Sequence, residues 1–480
     1  MIGGKPQNPN SCWSKRGACA ILNNMRNSLF DDRDFYSTLL RLAIPIAMQQ
    51  LVMNALNAVD VLMVGQLGET AVAAVGLAGQ VFFLMSLFLF GVGSGAAIFS
   101  AQFWGRRDLA HVHRMLGLAL ILAISGSALF TLVAVLAPTW ILSIYTTDPA
   151  VIAEGSRYLR VVALCYIPTS ISTMYAMILR STRQVKVPMM VSVSALSLKT
   201  ILAYILIFGQ FGVPAMGIMG AAVATVVARL VECVAMTTIT YWLKLPAAAK
   251  ITELLDINRA LVGRFTRTAA PVIFGEMLWS LGITTYTGIY ARIGTGAVAA
   301  VSIASTLESV ALVPFMAIAN ACAIMLGNRI GAGRLADAMD YARRFVVLAV
   351  GGALGMGFVI FISRGVLMSL YRISPEARLD ALGVLTVMSV TLWLKAGNLV
   401  MIVGIMRSGG DTRFAFLADI GPMWLLGVPM ALLSAFVLAL PVYWVAFLVV
   451  LADEGTKFII SQGRVRSALW VHNVVHAIGS

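Results

Sequence analysis

Four polar residues in the first long apolar stretch, Gln50, Asn54, Asn57 and Asp60, are separated by four, three and three positions. On an α-helix that spacing puts them on one stripe. A second stripe at helical spacing, Glu276, Ser280, Thr287 and Tyr290, lies in the seventh such stretch. An ionisable group in hydrocarbon costs at least about 2.5 to 3.5 kcal/mol on insertion scales, so neither stripe can face lipid. A carboxylate held there can bind Na⁺ with nearby hydroxyl and carbonyl oxygens, or take up a proton because burial disfavours its charged form. Either event changes the local charge and can be coupled to a movement of the surrounding helices. Asp60 and Glu276 are therefore candidate cation-coupling residues, with Na⁺ a candidate occupant near either one. Gln50, Asn54, Asn57, Ser280 and Tyr290 are candidates for the wall of a cavity. The competing reading is a structural carboxylate hydrogen-bonded inside a bundle.

Lys199, Lys395, Glu308 and Asp419 are further charges in apolar segments, and Asn398 is a polar neighbour of Lys395. Lys199 can pair with Asp60, and Lys395 with Glu276 or Glu308; snorkelling to an interface is the alternative for both lysines. Arg229 with Glu232 and Asp453 with Lys457 read as local helical ion pairs without a transport role. Trp279, Trp393 and Trp424 read as packing residues. The sequence has no Walker A motif, GxSxG elbow or HExxH, so ATP-driven pumping and familiar hydrolytic chemistry lack their parts. The five cysteines form no CxxC pair, which leaves no metal site or cofactor indicated. The four histidines, His111, His113, His472 and His476, fall at loop or tail positions, so an embedded enzyme lacks a convergent cluster.

The elements that must position these residues are transmembrane helices. Of 480 residues 60% are hydrophobic and only 12% charged, with a mean hydropathy of +0.89; soluble domains are about 45–50% apolar. Apolar stretches long enough to cross about 30 Å of hydrocarbon recur at 36–64, 71–100, 113–137, 158–179, 187–208, 216–242, 265–291, 297–326, 343–363, 381–406, 414–437 and 442–462. The expected fold is an all-α membrane protein with twelve transmembrane helices. A barrel is excluded because the apolar residues run continuously. The net charge of +14 is scattered over short loops, which argues against nucleic acid and for topology. The loops richer in Arg and Lys, including those holding Arg106, Arg180, Arg183, Arg329 and Arg407, are assigned to the cytoplasm with both termini. The expected divisions are a cytoplasmic tail over 1–35, a six-helix lobe over 36–243, a linker over 244–264, a second lobe over 265–462 and a tail over 463–480.

The two lobes are duplicates. An offset of 226 aligns Pro45 with Pro271, Gly68 with Gly294, Ala71–Val75 with Ala297–Val301, Gly105 with Gly331 and Tyr145 with Tyr371. One more position aligns Arg180-Ser181 with Arg407-Ser408. Six spans per half make this a parallel repeat about an axis along the membrane normal, an arrangement suited to alternating access. The offset pairs Glu276 with Gln50 and Asp60 with Tyr286, so the two carboxylates are not mates. They differ in depth by roughly 15 Å.

These passages resemble the multidrug and toxic-compound extrusion family, in its bacterial branches, over about residues 36–470. PIAMQQLVMNALNAVDVLMVG from Pro45 is similar to that family's first helix, and PVIFGEMLWSLG from Pro271 to its seventh. Gly327–Gly333 (GNRIGAG) and Met406–Thr412 (MRSGGDT) are similar as well. The resemblance implies an inner-membrane antiporter that exports small organic, often cationic, compounds in exchange for Na⁺ or H⁺. It implies Asp60 and Glu276 as cation-site residues, no prosthetic cofactor, a monomer, and no partner beyond substrates and the bilayer. Lys199 and Ala203 stand where some branches carry N-x-x-L-D in helix 5, and Lys395-Ala396 lies where Na⁺-coupled relatives carry an aspartate, so the coupling ion stays open between the two. The alternatives are a lipid-linked oligosaccharide flippase, whose cavity would present cations such as Lys199 and Lys395 to phosphates, and more remotely an embedded enzyme or a scaffold.

Overall fold

The computed structural model describes residues 32–369, 371 and 374–475. Most of the tail expected over 1–35, and the end of that expected over 463–480 with His476, lie outside them. Two compact units divide the chain at Arg41. The described part of the first is the start of a helix capped by Asp32, whose Oδ1 accepts from the Phe35 N–H at 3.0 Å. Everything below belongs to the second unit, Leu42–Ser480.

Twelve long helices follow the repeat. The first half holds α1 (Arg33–Gly65), α2 (Glu69–Gly105), α3 (Leu109–Leu136), α4 (Pro149–Ser181), α5 (Lys186–Phe208) and α6 (Ile218–Trp242). The second holds α7 (Arg259–Ile293), α8 in two segments (Thr295–Ala311 and Val313–Gly331), α9 (Leu335–Ser369), α10 (Pro375–Met406), α11 (Thr412–Val437) and α12 (442–466). Ten of these helices are long and apolar enough to cross a membrane. The other two, α7 and α12, are those carrying Glu276 and the Asp453, Glu454 and Lys457 group. Their starts obey local chemistry: Asp148 accepts from the Ala150 N–H ahead of Pro149, and Asn258 from the Ala260 N–H at the head of α7.

Among the described residues every π-helical segment lies in the second half, at Val400–Met406, Met423–Gly427, Leu433–Val437 and Leu451–Gly455. Such segments rotate the following turn and cluster at functional sites. Three of them flank the charged residues described below.

The linker is shorter and better anchored than the expected 244–264, because α7 begins at Arg259. A short helix, Ile251–Leu255, lies against α3. His113 places Nδ1 2.9 Å from Glu253 Oε2 and Nε2 3.1 Å from the Pro246 carbonyl, while Arg114 pairs with Asp256. His111 and His113 thus sit in α3 rather than in a loop, and His113 is buried. The Lys250 backbone N–H, with His113, holds the Glu253 carboxyl below the ordinary glutamate value.

Candidate transport site

The two halves cross where α2 passes the second segment of α8. A Cβ on Gly105 would fall 2.1 Å from the Asn328 carbonyl oxygen, and one on its repeat mate Gly331 1.9 Å from that of Gln102. Only glycine permits this approach. Gln102 and Asn328 are themselves mates at the same offset, and each donates across the boundary. Gln102 Nε2 donates to the Ser408 carbonyl at 3.1 Å, and Asn328 Nδ2 to the Ser181 carbonyl at 3.1 Å. Ser181 and Ser408 are mates too, so the junction is a pseudo-twofold amide latch. The C-terminal segment adds to one side only: Gln102 Oε1 accepts from Val474 N–H at 3.0 Å, and Arg106 Nη1 donates to the Val475 carbonyl at 2.8 Å.

Behind this latch a cavity of about 290 Å³ opens between the halves. Its polar lining comes from Gln49 and Gln50 on α1, Arg180 on α4, Ser192 on α5, Arg229 and Glu232 on α6, and Asn320 on α8. Arg180 Nη2 donates to Gln49 Oε1 at 3.0 Å. Glu232 accepts from Arg229 Nη1 at 2.7 Å and from Ser192 Oγ at 2.8 Å.

Elsewhere in the first half Asp60 is paired one to one: Lys199 Nζ lies 2.6 Å from Oδ2, as the sequence anticipated, and Thr200 Oγ1 donates to Oδ1 at 3.4 Å. Asp60 and Lys199 line neither this cavity nor a smaller one of about 70 Å³ running from Arg180 to Arg407.

The second half carries a connected network instead. Arg407 Nη1 donates to Glu276 Oε1 at 2.8 Å and its Nη2 stands 4.0 Å from Asp419. Lys457, 2% exposed, places Nζ 3.1 Å from both Asp419 and Asp453 and 3.9 Å from Glu454. Tyr286 OH donates to Asp453 Oδ2 at 3.1 Å. Asn398 Nδ2 donates to Glu454 Oε2 at 2.8 Å, while its own Oδ1 is buried without a donor. Two cations therefore face four carboxylates, an excess of two negative charges if all are ionised. Lys395 does not offset it, being taken up by Glu308.

Several expectations change. Lys395 pairs with Glu308 and not Glu276, whose partner is Arg407. Arg180 and Arg407, read as loop residues that set topology, point into the protein; Arg407 is 6% exposed. The pair Arg229–Glu232 forms as expected but lines the cavity, and Asp453–Lys457 belongs to the network. Of the expected wall residues only Gln50 lines the larger cavity; it donates to Asn54 Oδ1 at 3.3 Å. Asn57 is exposed, Ser280 half-buried, and Tyr290 is packed in the apolar core of the second half. The tryptophans pack: Trp393 meets Phe458 edge-on, and Trp424 Nε1 donates to the Leu278 carbonyl at 3.2 Å. Arg180 and Arg407 were legible as repeat mates; nothing in the sequence said that they turn inward.

Comparison with known proteins agrees with this architecture. The chain is 31% identical over 443 residues to a probable multidrug resistance protein NorM of Rhizobium meliloti (strain 1021), covering 87% of this chain and 90% of that one. It is 25% identical over 421 residues to the uncharacterized transporter YisQ of Bacillus subtilis (strain 168), covering 86% and 90%. The crystal structure of a point mutant of the Vibrio cholerae MATE transporter VcmN has the same fold, with a TM-score of 0.83 at 20% identity over 92% of this chain and 98% of that one. The MatE family pattern matches twice, at residues 45–205 and 271–433. Its two starting points differ by the repeat offset read from the sequence, and together the matches cover well over half of the chain. The chain therefore belongs to the MatE family, as a multi-pass membrane transporter.

Proposed function

We propose that this transporter exports small organic compounds by alternating access in exchange for an inward-moving cation, and that the cation is taken up in the second half. The observation that carries the reading is the imbalance of two cations against four carboxylates around Lys457. Removing charges from water costs several kcal/mol per ion, and their attraction repays it only where each has a partner. An unbalanced pair of carboxylates calls for a proton or Na⁺, and Glu454 beside the donor-less Asn398 Oδ1 offers oxygen ligands for either. In this reading Glu276 keeps the coupling role expected of it, as part of the network. Asp60 does not, because its own chain already supplies a cation, Lys199.

Cation uptake would ease the repulsion that holds α7, α11 and α12 in their present arrangement, and the amide latch is the joint that must break for the opposite opening. The Arg-rich side, where the latch lies, is the cytoplasmic side of the inner membrane by the positive-inside rule. The export direction is supported by the relative named a probable multidrug resistance protein. The flippase alternative loses its motive, since Lys199 and Lys395 each hold a carboxylate and line neither cavity.

The test is efflux from proteoliposomes under separately imposed Na⁺ and pH gradients. One gradient should drive efflux in the parent and in Asp60→Asn, and fail to drive it in Glu454→Gln and Glu276→Gln. Efflux equally driven in all four proteins would refute coupling in the second half.

A further inference from the structure

Arg180 and Arg407 are repeat mates in unlike company. Arg407 has a carboxylate, Glu276, at 2.8 Å. Arg180 has only the neutral amide of Gln49 at 3.0 Å, next to Gln50, the residue that aligns with Glu276. The Arg180 Nε–H is buried with no acceptor, and among the described residues no carboxylate lies within ion-pair distance of its guanidinium. Glu232, on the same wall, has both oxygens committed, one to Arg229 and one to Ser192. The cavity thus carries two guanidinium groups and one carboxylate. The rest of its wall is apolar, with Ile46, Met53, Phe90, Leu196 and Met316.

We infer that Arg180 is a substrate-binding residue for an organic anion, one carboxylate on an apolar body, which supplies in the first half the countercharge that Glu276 supplies in the second. A guanidinium is a planar fork that a carboxylate meets with two parallel hydrogen bonds, and the buried Nε–H is one tine without a partner. A cavity of about 290 Å³ is at the small end for a drug-sized guest. Cationic cargo, the expectation from family resemblance, would instead meet an uncompensated positive charge. This rests on the cavity being the export site, but binding measured without any gradient is independent of coupling, so either reading can fail alone.

The experiment measures binding of three probes with one aromatic body, 1-naphthylacetate, 1-naphthyl phosphate and 2-(1-naphthyl)ethylammonium, to the full chain in lipid nanodiscs by calorimetry. The acetate should bind at least tenfold tighter than the ammonium. Arg180→Gln should abolish that preference, and Gln49→Glu, which gives Arg180 an internal carboxylate, should abolish it while raising the melting temperature. The Gln49 variant decides the matter should Arg180→Gln fail to fold. Tighter binding of the ammonium, no binding of the acetate, or an acetate affinity unchanged in Gln49→Glu overturns the inference. Tighter binding of the phosphate overturns the assignment to a carboxylate.

Discussion

The end of α4 and the end of α10 carry the same arginine, and the two halves answer it differently. In the second half Arg407 meets Glu276 and joins a network that reaches Asp419, Lys457, Asp453 and Glu454 across four helices. In the first half Arg180 meets Gln49, and the acids nearby are settled in separate pairs, Glu232 with Arg229 and Asp60 with Lys199. Duplication preserved the backbone path closely enough to keep mates such as Gly105 and Gly331, or Gln102 and Asn328, in equivalent contacts. It did not preserve charge. One half has surplus negative charge around a buried lysine and the other a surplus guanidinium on a cavity wall, so one fold offers both a cation and an anion a place.

The contrast breaks or sharpens under four measurements. The largest effect is expected from Lys457→Met, which strands Asp419 and Asp453 without a cation and should cost about 3–5 kcal/mol. Arg229→Met, which leaves Glu232 with Ser192, should cost clearly less, and equal losses of melting temperature would erase the distinction between network and pair. Next comes the shared latch: Gly331→Ala and Gly105→Ala each push a methyl group into an opposing carbonyl and should cost about 1–3 kcal/mol apiece. Efflux should fall similarly in both; a fall in one alone would mean that the halves close asymmetrically.

A smaller effect is expected at Asp60, whose side chain and that of Lys199 are 16% and 21% exposed. Asp60→Asn should cost about 1 kcal/mol, and adding Lys199→Met should recover most of it. Failure of the second substitution to recover stability would give Asp60 a role beyond its pair. The smallest concerns the linker joining the halves. The Glu253 carboxyl is held below its ordinary value by the Lys250 N–H and His113, so its contribution to docking is complete above the unfolded value of about 4.3 and disappears as pH falls through the lower folded one. Proteolysis within 244–258 should therefore accelerate in acid below about pH 4, and Glu253→Gln should remove that dependence.

Much of the architecture was legible because its causes are local or periodic. Span length, loop arginines and the repeat offset need no neighbours to be read. The pair Asp60–Lys199 was legible because two opposite charges in one six-helix half have few other ways to avoid lipid. The network was not. Asp453 and Lys457, four positions apart, satisfy the pattern of an isolated helical pair. Only packing of α11 against α12 brings Asp419 to the same lysine. Glu276 likewise looked unpartnered while Arg407 passed for a topology signal.

Taken alone, the residue order determined a duplicated twelve-helix membrane protein and the rough positions of its costly charges, because hydrophobic length and cationic loops act through the solvent and not through particular neighbours. Which charge meets which, whether a half is left with an excess, and which side of Arg180 faces a cavity were decided only in the packed bundle. Coulomb attraction and desolvation depend on separations of a few ångströms between helices far apart in sequence.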